Sequence, residues 1–179
     1  MRKIIALLLV FILFAFCGCG TSIPAETNPS GTTGATEPDL EEKFTIPGTL
    51  TAENFDIKFV SAEICKSVVL NNGVDFSIDS ENGKELLVLS IDATNTSNEL
   101  LNLGSFISYA DSVSVFPQNY LGKYNDRTLF VGAVHPGKTV QTYIIYQITE
   151  GWESFELSYV DNLTMSVSKT VKIIRAGLA

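Results

Sequence analysis

The sequence predicts an all-β fold, an antiparallel β-sandwich of about seven to nine strands, and three features of its 179 residues carry that expectation. From Phe44 onward apolar and polar residues alternate in short runs, the period of a strand rather than of a helix. Turn residues, including Asn-Gly and Pro-Gly pairs, recur about every ten residues. No amphipathic helix separates the runs, so parallel strands joined by helical crossovers are not expected.

The elements follow in order. Phe55, Ile57 and Phe59 alternate, then Val60, Ala62 and Ile64 continue in the opposite phase, which places a bulge near Phe59. Val68–Leu70 and Val74–Ile78 flank Asn71-Asn72-Gly73, and Asn-Gly supplies the positive φ angles of a tight primed hairpin. Asn82-Gly83 then leads into Leu86–Ala93, where Leu87, Leu89, Ile91 and Ala93 are expected to face inward. Further strands are read at Val113–Phe116, Leu129–Val134, Val140–Ile148, Phe155–Tyr159 and Met165–Ile174, the last with a break at Ser168-Lys169. Gly104–Ala110 reads as a short helical or irregular turn.

Before Phe44 the composition is different. Met1-Arg-Lys is followed by thirteen apolar residues, Ile4–Phe16, which as a helix would reach about 20 Å against about 30 Å of bilayer hydrocarbon. A basic start, an apolar middle and a small-residue end make residues 1–18 a secretory signal; an uncleaved anchor and secretion without a lipid are the other readings. Its end, Phe14-Ala-Phe-Cys17-Gly-Cys19, resembles the lipobox of bacterial lipoproteins, with Gly18 as the small residue before Cys19. The resemblance implies that Cys19 becomes the first mature residue and carries the lipid anchor, on the outer face of a cell membrane; Cys17 does not fit, because bulky Phe16 precedes it. Residues 19–43 are then an acidic tether rich in Thr, Ser, Gly and Pro, with too few apolar residues to fold alone, and residues 44–179 are the folded domain.

The net charge of −8 excludes a nucleic-acid partner, since binding phosphates needs basic patches. Without Arg2 and Lys3 the mature chain carries −10; the tether holds −4 of it and the domain −6, too little to imply a charged ligand. Of the three cysteines, Cys17 leaves with the signal and Cys19 is acylated, so Cys65 remains alone and is expected as a small core residue.

No motif assembles a catalytic or cofactor site. Gly132-Ala-Val-His-Pro-Gly137-Lys138-Thr139 matches the spacing of a phosphate-binding loop. Such a loop needs a helix to follow it, yet Val140–Ile148 is β-branched and alternating, so a strand and no nucleotide are expected. His135 is the sole histidine, which excludes a catalytic triad or a multi-histidine metal site. Asp79-Ser-Glu81-Asn-Gly83-Lys-Glu85 has oxygen ligands, but its glycine comes one position early and Lys84 intrudes, so it reads as a hairpin loop without calcium. No cofactor, no metal and no enzymatic activity are expected. Loop aromatics are the remaining candidates for contact: Tyr120 and Tyr124, and Trp152, which reads either as an exposed anchor or as a cap on the core.

Leu86–Asn95-Thr-Ser97, Phe106 with Tyr109-Ala-Asp111, and Pro136-Gly-Lys-Thr-Val140 leading into Tyr146-Gln-Ile148 resemble an uncharacterised family of immunoglobulin-like lipoprotein domains common in Gram-positive bacteria. The resemblance spans about residues 55–160 and departs from the family at Asp111-Ser112, where an Asp-Gly-like turn belongs. It implies an immunoglobulin-like sandwich and an extracellular address, and assigns no activity and no functional residue. The expected function is a non-catalytic binding module for a protein or envelope polymer, acting through its loops. The alternative is an accessory or sensory subunit of an envelope transporter or stress-response complex, meeting its partner along a sheet edge.

Overall fold

The computed structural model describes residues 44–46 and 48–175. The signal segment, Cys17, Cys19 and the tether of the preceding section lie outside the described residues. Sixteen strands are formed within them: β1 (Phe44–Thr45), β2 (Thr49–Thr51), β3 (Phe55–Cys65), β4 (Ser67–Asn71), β5 (Asp75–Asp79), β6 (Lys84–Asn95), β7 (Leu101–Asn102) and β8 (Ser105–Ala110) in the first half. The second half supplies β9 (Val113–Val115), β10 (Pro117–Gln118), β11 (Lys123–Tyr124), β12 (Arg127–Thr128), β13 (Ala133–Val134), β14 (Thr139–Thr149), β15 (Ser154–Val160) and β16 (Val171–Arg175).

Two five-stranded sheets, ordered β1-β16-β15-β8-β9 and β10-β14-β6-β3-β2, carry only antiparallel pairings. Their facing sides share one core, in which Phe55, Leu87, Leu89, Ile91, Tyr146, Phe155 and Tyr159 are buried. With β3, β6, β14 and β10 taken as A, B, E and D, and β8, β15 and β16 as C, F and G, the two sheets have the strand distribution of an immunoglobulin-like sandwich. The bulge read near Phe59 is present, because the β3–β6 register shifts between Phe59 and Ser61.

A third layer departs from the expected two. Strands β4 and β5, inserted between β3 and β6, join β11 and β12, inserted between β10 and β14, in a four-stranded sheet ordered β12-β11-β4-β5. It covers the outer side of the β6–β14 sheet over a second core of Val68, Leu70, Ile78, Leu86, Val88, Tyr143 and Ile145. Strand β6 is therefore buried on both faces, which is why it reads Leu86-Leu-Val-Leu89 without alternation.

Local expectations change in five places. Gly104–Ala110 holds strand β8 rather than a helical turn, because buried Ser108, whose hydroxyl donates to the Val115 carbonyl (2.8 Å), interrupts the apolar alternation that marks a strand. Leu129–Val134 is a strand only at Ala133–Val134, and Met165–Ile174 only from Val171. Asn71 pairs with Asp75, so the hairpin loop has three residues, Asn72-Gly73-Val74, instead of two. Asn82-Gly83 joins two different sheets and closes no hairpin.

Asp111-Ser112 nevertheless forms the primed turn between β8 and β9 without a glycine, with φ of 46° and 69°. Asp111 secures it by accepting hydrogen bonds from the Glu153 and Ser154 amides (3.1 and 2.8 Å).

Candidate functional site

Strand direction gives the sandwich two ends. Phe44 pairs with Arg175, so the chain enters beside Glu153, whose carbonyl accepts from the Arg175 amide (3.2 Å). The opposite end gathers the 96–100 loop, the β7–β13 ribbon and the 161–170 loop, together with the turn at Asn54.

Two buried side chains organise that far end. Asn95, at the end of β6, donates to the Glu99 and Val134 carbonyls (2.7 and 2.8 Å) and accepts from the Ser97 amide (2.9 Å). Its own backbone bonds to Lys138 and Gly137, so the Asn-rich turn and the Pro136-Gly137 turn of the sequence meet in space. Asp161 accepts from the Leu163 and Thr164 amides (2.9 and 3.0 Å) and from Asn54 (3.0 Å). Burial raises the pKa of its carboxyl, but the hydrogen bonds from Thr164, Asn54 and Leu163 outweigh burial and hold it below the usual value. Asp161 is thus a charged cap that fixes the 161–166 turn.

On this frame the loops display aliphatic side chains. Leu163 and Met165 are 60% and 70% exposed, Val167 is exposed two residues on, and Leu100 is exposed on the facing 96–100 loop. Met165 holds φ at +57°, a conformation that a bulky L-residue adopts at a cost of about 1–2 kcal/mol. A cavity of about 170 Å³ lies between the two loops, lined by Leu100, Leu101, Asn102, Asp161, Asn162 and Leu163. The 161–170 loop therefore spends stability to hold an apolar side chain in water. Met165→Gly is expected to raise stability by about 0.5–1 kcal/mol in urea denaturation, because relief of strain exceeds the added chain entropy of about 0.4–1 kcal/mol. A lower stability would show that Met165 packs in place and is not strained.

The three aromatic candidates lie elsewhere. Trp152 is 2% exposed, with its ring edge-on to Phe155 (6.3 Å) and Arg175 above it (5.8 Å), so it caps the core and offers no ring to a partner. Tyr120 and Tyr124 are half-buried against the second core; the Tyr124 hydroxyl donates to Glu63. Sequence reasoning missed Leu100, Leu163 and Met165, since aliphatic residues before an alternating run read as the start of a strand.

The remaining motifs fall into place structurally. His135-Pro136-Gly137-Lys138 is a turn closed by the Lys138 amide on the His135 carbonyl (3.0 Å), with Gly137 at φ 66°, and strand β14 rather than a helix follows it. In the acidic 79–85 segment Lys84 pairs with Glu81 (2.8 Å), and Lys66 pairs with Glu150 nearby. Cys65 is half-buried, and burial, with Glu63 adding to it, pushes its thiol up to about 11, so it is protonated at neutral pH.

No family model matches the sequence, and no curated protein matches it. The sandwich is similar to three solved bacterial structures. The first is the Bacillus subtilis protein ycdA, a proposed lipoprotein, at TM-score 0.55 and 14% identity over 73% of this chain and 39% of that one. A conserved hypothetical protein of Bacillus anthracis follows at TM-score 0.53 and 13% identity, covering 74% and 99%. The yjhA protein of Bacillus subtilis has TM-score 0.52 and 18% identity, covering 71% and 97%. This chain thus spans about two fifths of ycdA and nearly the whole of the other two. At these identities the likeness is one of fold, an all-β sandwich shared with bacterial proteins.

Proposed function

We propose that this chain is a bacterial lipoprotein, anchored through Cys19 on the outer face of the cell membrane, whose sandwich captures a protein partner with the loops at its far end. It acts without catalysis, as an interaction module. The observation that carries this reading is the strained, exposed Met165 beside Leu163 on a loop pinned by Asp161, at the end opposite the entry of the chain at Phe44. The chain reaches the domain at the Phe44 end, so these loops lie at the end of the domain remote from that attachment. Their displayed side chains are aliphatic, which suits protein side chains better than an envelope polymer, because sugars stack on aromatic rings. Preformed loops also reduce the ordering cost of binding.

The edge-binding alternative has less support. Edge strands β2, β9 and β10 have only two or three residues, and edge strand β5 begins and ends on Asp75 and Asp79, a charged edge that discourages strand addition.

The test is a photo-activated cross-linking residue at position 165 of the full chain in its own cells. A defined adduct is expected, and Leu100→Ser with Leu163→Ser should reduce it at least tenfold while Tyr120→Ala leaves it unchanged. An adduct indifferent to the two serine substitutions would overturn the loop reading.

A further inference from the structure

The two sides of the sandwich are not equivalent. The third layer covers one, whereas the outer side of the β1-β16-β15-β8-β9 sheet has no layer over it among the described residues. On that open side Ile107, Tyr109 and Ile174 point outward at 42%, 40% and 42% exposure. Register aligns them across three neighbouring strands: Tyr109 opposite Glu156, Ile107 opposite Ser158, and Ile174 opposite Ser154. The charged residues between them, Glu156 and Lys172, face each other in register and form an ion pair (3.4 Å).

We infer that this face pairs with the same face of a second copy, forming a side-by-side dimer on the membrane. This inference rests on the proposed membrane anchor, but it concerns a different surface from the loops and does not depend on what they bind. Charge selects the occupant. The folded part carries −6, so two copies repel over most of their surface, but Glu156 and Lys172 cancel and leave this face neutral. Across a two-fold axis Glu156 of one copy can also meet Lys172 of the other, which a neutral or singly charged stranger does not offer.

Area is consistent with a pair that forms when copies are confined. The five strands hold 23 residues, which at about 3.4 Å per residue and about 4.8 Å between strands present about 380 Å² on each copy, hence about 750 Å² for two, below the range of interfaces that hold free chains together. Anchoring both copies in one membrane raises their effective concentration, so a weak interface suffices. Geometry agrees, because the strands run from the Phe44 end to the loop end. A two-fold axis along them leaves both Phe44 ends on one side and both loop clusters on the other.

The test is sedimentation equilibrium of the full chain in a density-matched detergent. Reversible association to two chains is expected, weakened at least tenfold by Ile107→Glu or Tyr109→Glu, since each adds an uncompensated negative charge to an otherwise neutral, apolar face. Val69→Glu, on the exposed side of the third layer, should leave it unchanged. Thermal melts confirm that each variant is folded, and either face variant suffices if the other is not. A single-chain mass at all concentrations, or equal loss with Val69→Glu, would overturn the dimer.

Discussion

Arg175→Ala is expected to destabilise the sandwich by about 3–5 kcal/mol, the cost of leaving a buried partner charge uncompensated. Glu85 lies on β6 with its side chain 6% exposed, and Arg175 on β16 reaches it from the opposite sheet with two bonds of 2.7 and 3.4 Å. The pair therefore ties the two sheets together at the end where the chain enters. Arg175 also covers the Trp152 ring, which in turn packs on Phe155. Removing the guanidinium thus loses the charge pair and part of the packing that keeps water from Glu85. Urea denaturation followed by Trp152 fluorescence reads the loss. The double variant Glu85→Leu, Arg175→Met should recover stability to within about 1 kcal/mol of the original, since apolar residues can replace a buried pair at little cost. A loss below about 1 kcal/mol for Arg175→Ala would mean that water screens Glu85 despite its burial.

The sandwich was legible because alternation survives wherever a strand has one wet face. Phe55, Ile57 and Phe59 show it, and the phase change after Phe59 marked the bulge correctly. The third layer was not legible, although its trace was present. Leu86-Leu-Val-Leu89 and Tyr143-Ile-Ile-Tyr146 are continuous apolar runs, the mark of strands buried on both sides. Selecting only Leu87, Leu89, Ile91 and Ala93 as inward ignored Leu86 and Val88, which build the second core. The β4–β5 hairpin looked like part of the sandwich because a hairpin signal fixes local pairing and says nothing about which layer it joins.

The loop end was hidden for a different reason. Asn95 appears as an ordinary turn residue, yet its side chain reaches Val134, 39 positions away, and no local pattern encodes that bond. Aromatic residues drew the search for a contact surface, but large rings bring the greatest gain on burial, and Trp152 is in the core. What marks the candidate site is an exposed aliphatic residue in a strained backbone conformation, which only the folded chain reveals.

Gly104→Ala is the second substitution with a large expected effect, about 3 kcal/mol or more, with failure to fold as the upper bound. Gly104 precedes β8 and lies against the end of β15, where an added Cβ would sit 1.9 Å from the Val160 carbonyl oxygen and 2.8 Å from the Tyr159 ring and hydroxyl. The carbonyl cannot yield cheaply, because Val160 is held by its pairing with Ser105. The ring cannot yield either, as Tyr159 is fully buried and packs on Phe55 and Phe106. Its hydroxyl also accepts the Gly104 amide (2.7 Å), a bond that the same movement would break. Tyr159→Phe separates the two causes: losing that acceptor alone should cost about 1–3 kcal/mol, less than the clash. Urea denaturation of both variants measures the difference, and Gly104→Ala costing no more than Tyr159→Phe would refute the steric account. The close approach at Gly104 also sets the spacing between the connection before β8 and the 161–170 loop that follows β15. If Gly104→Ala folds at all, the adduct at position 165 should therefore fall with it, because the two loops that frame the cavity can no longer meet at their present separation.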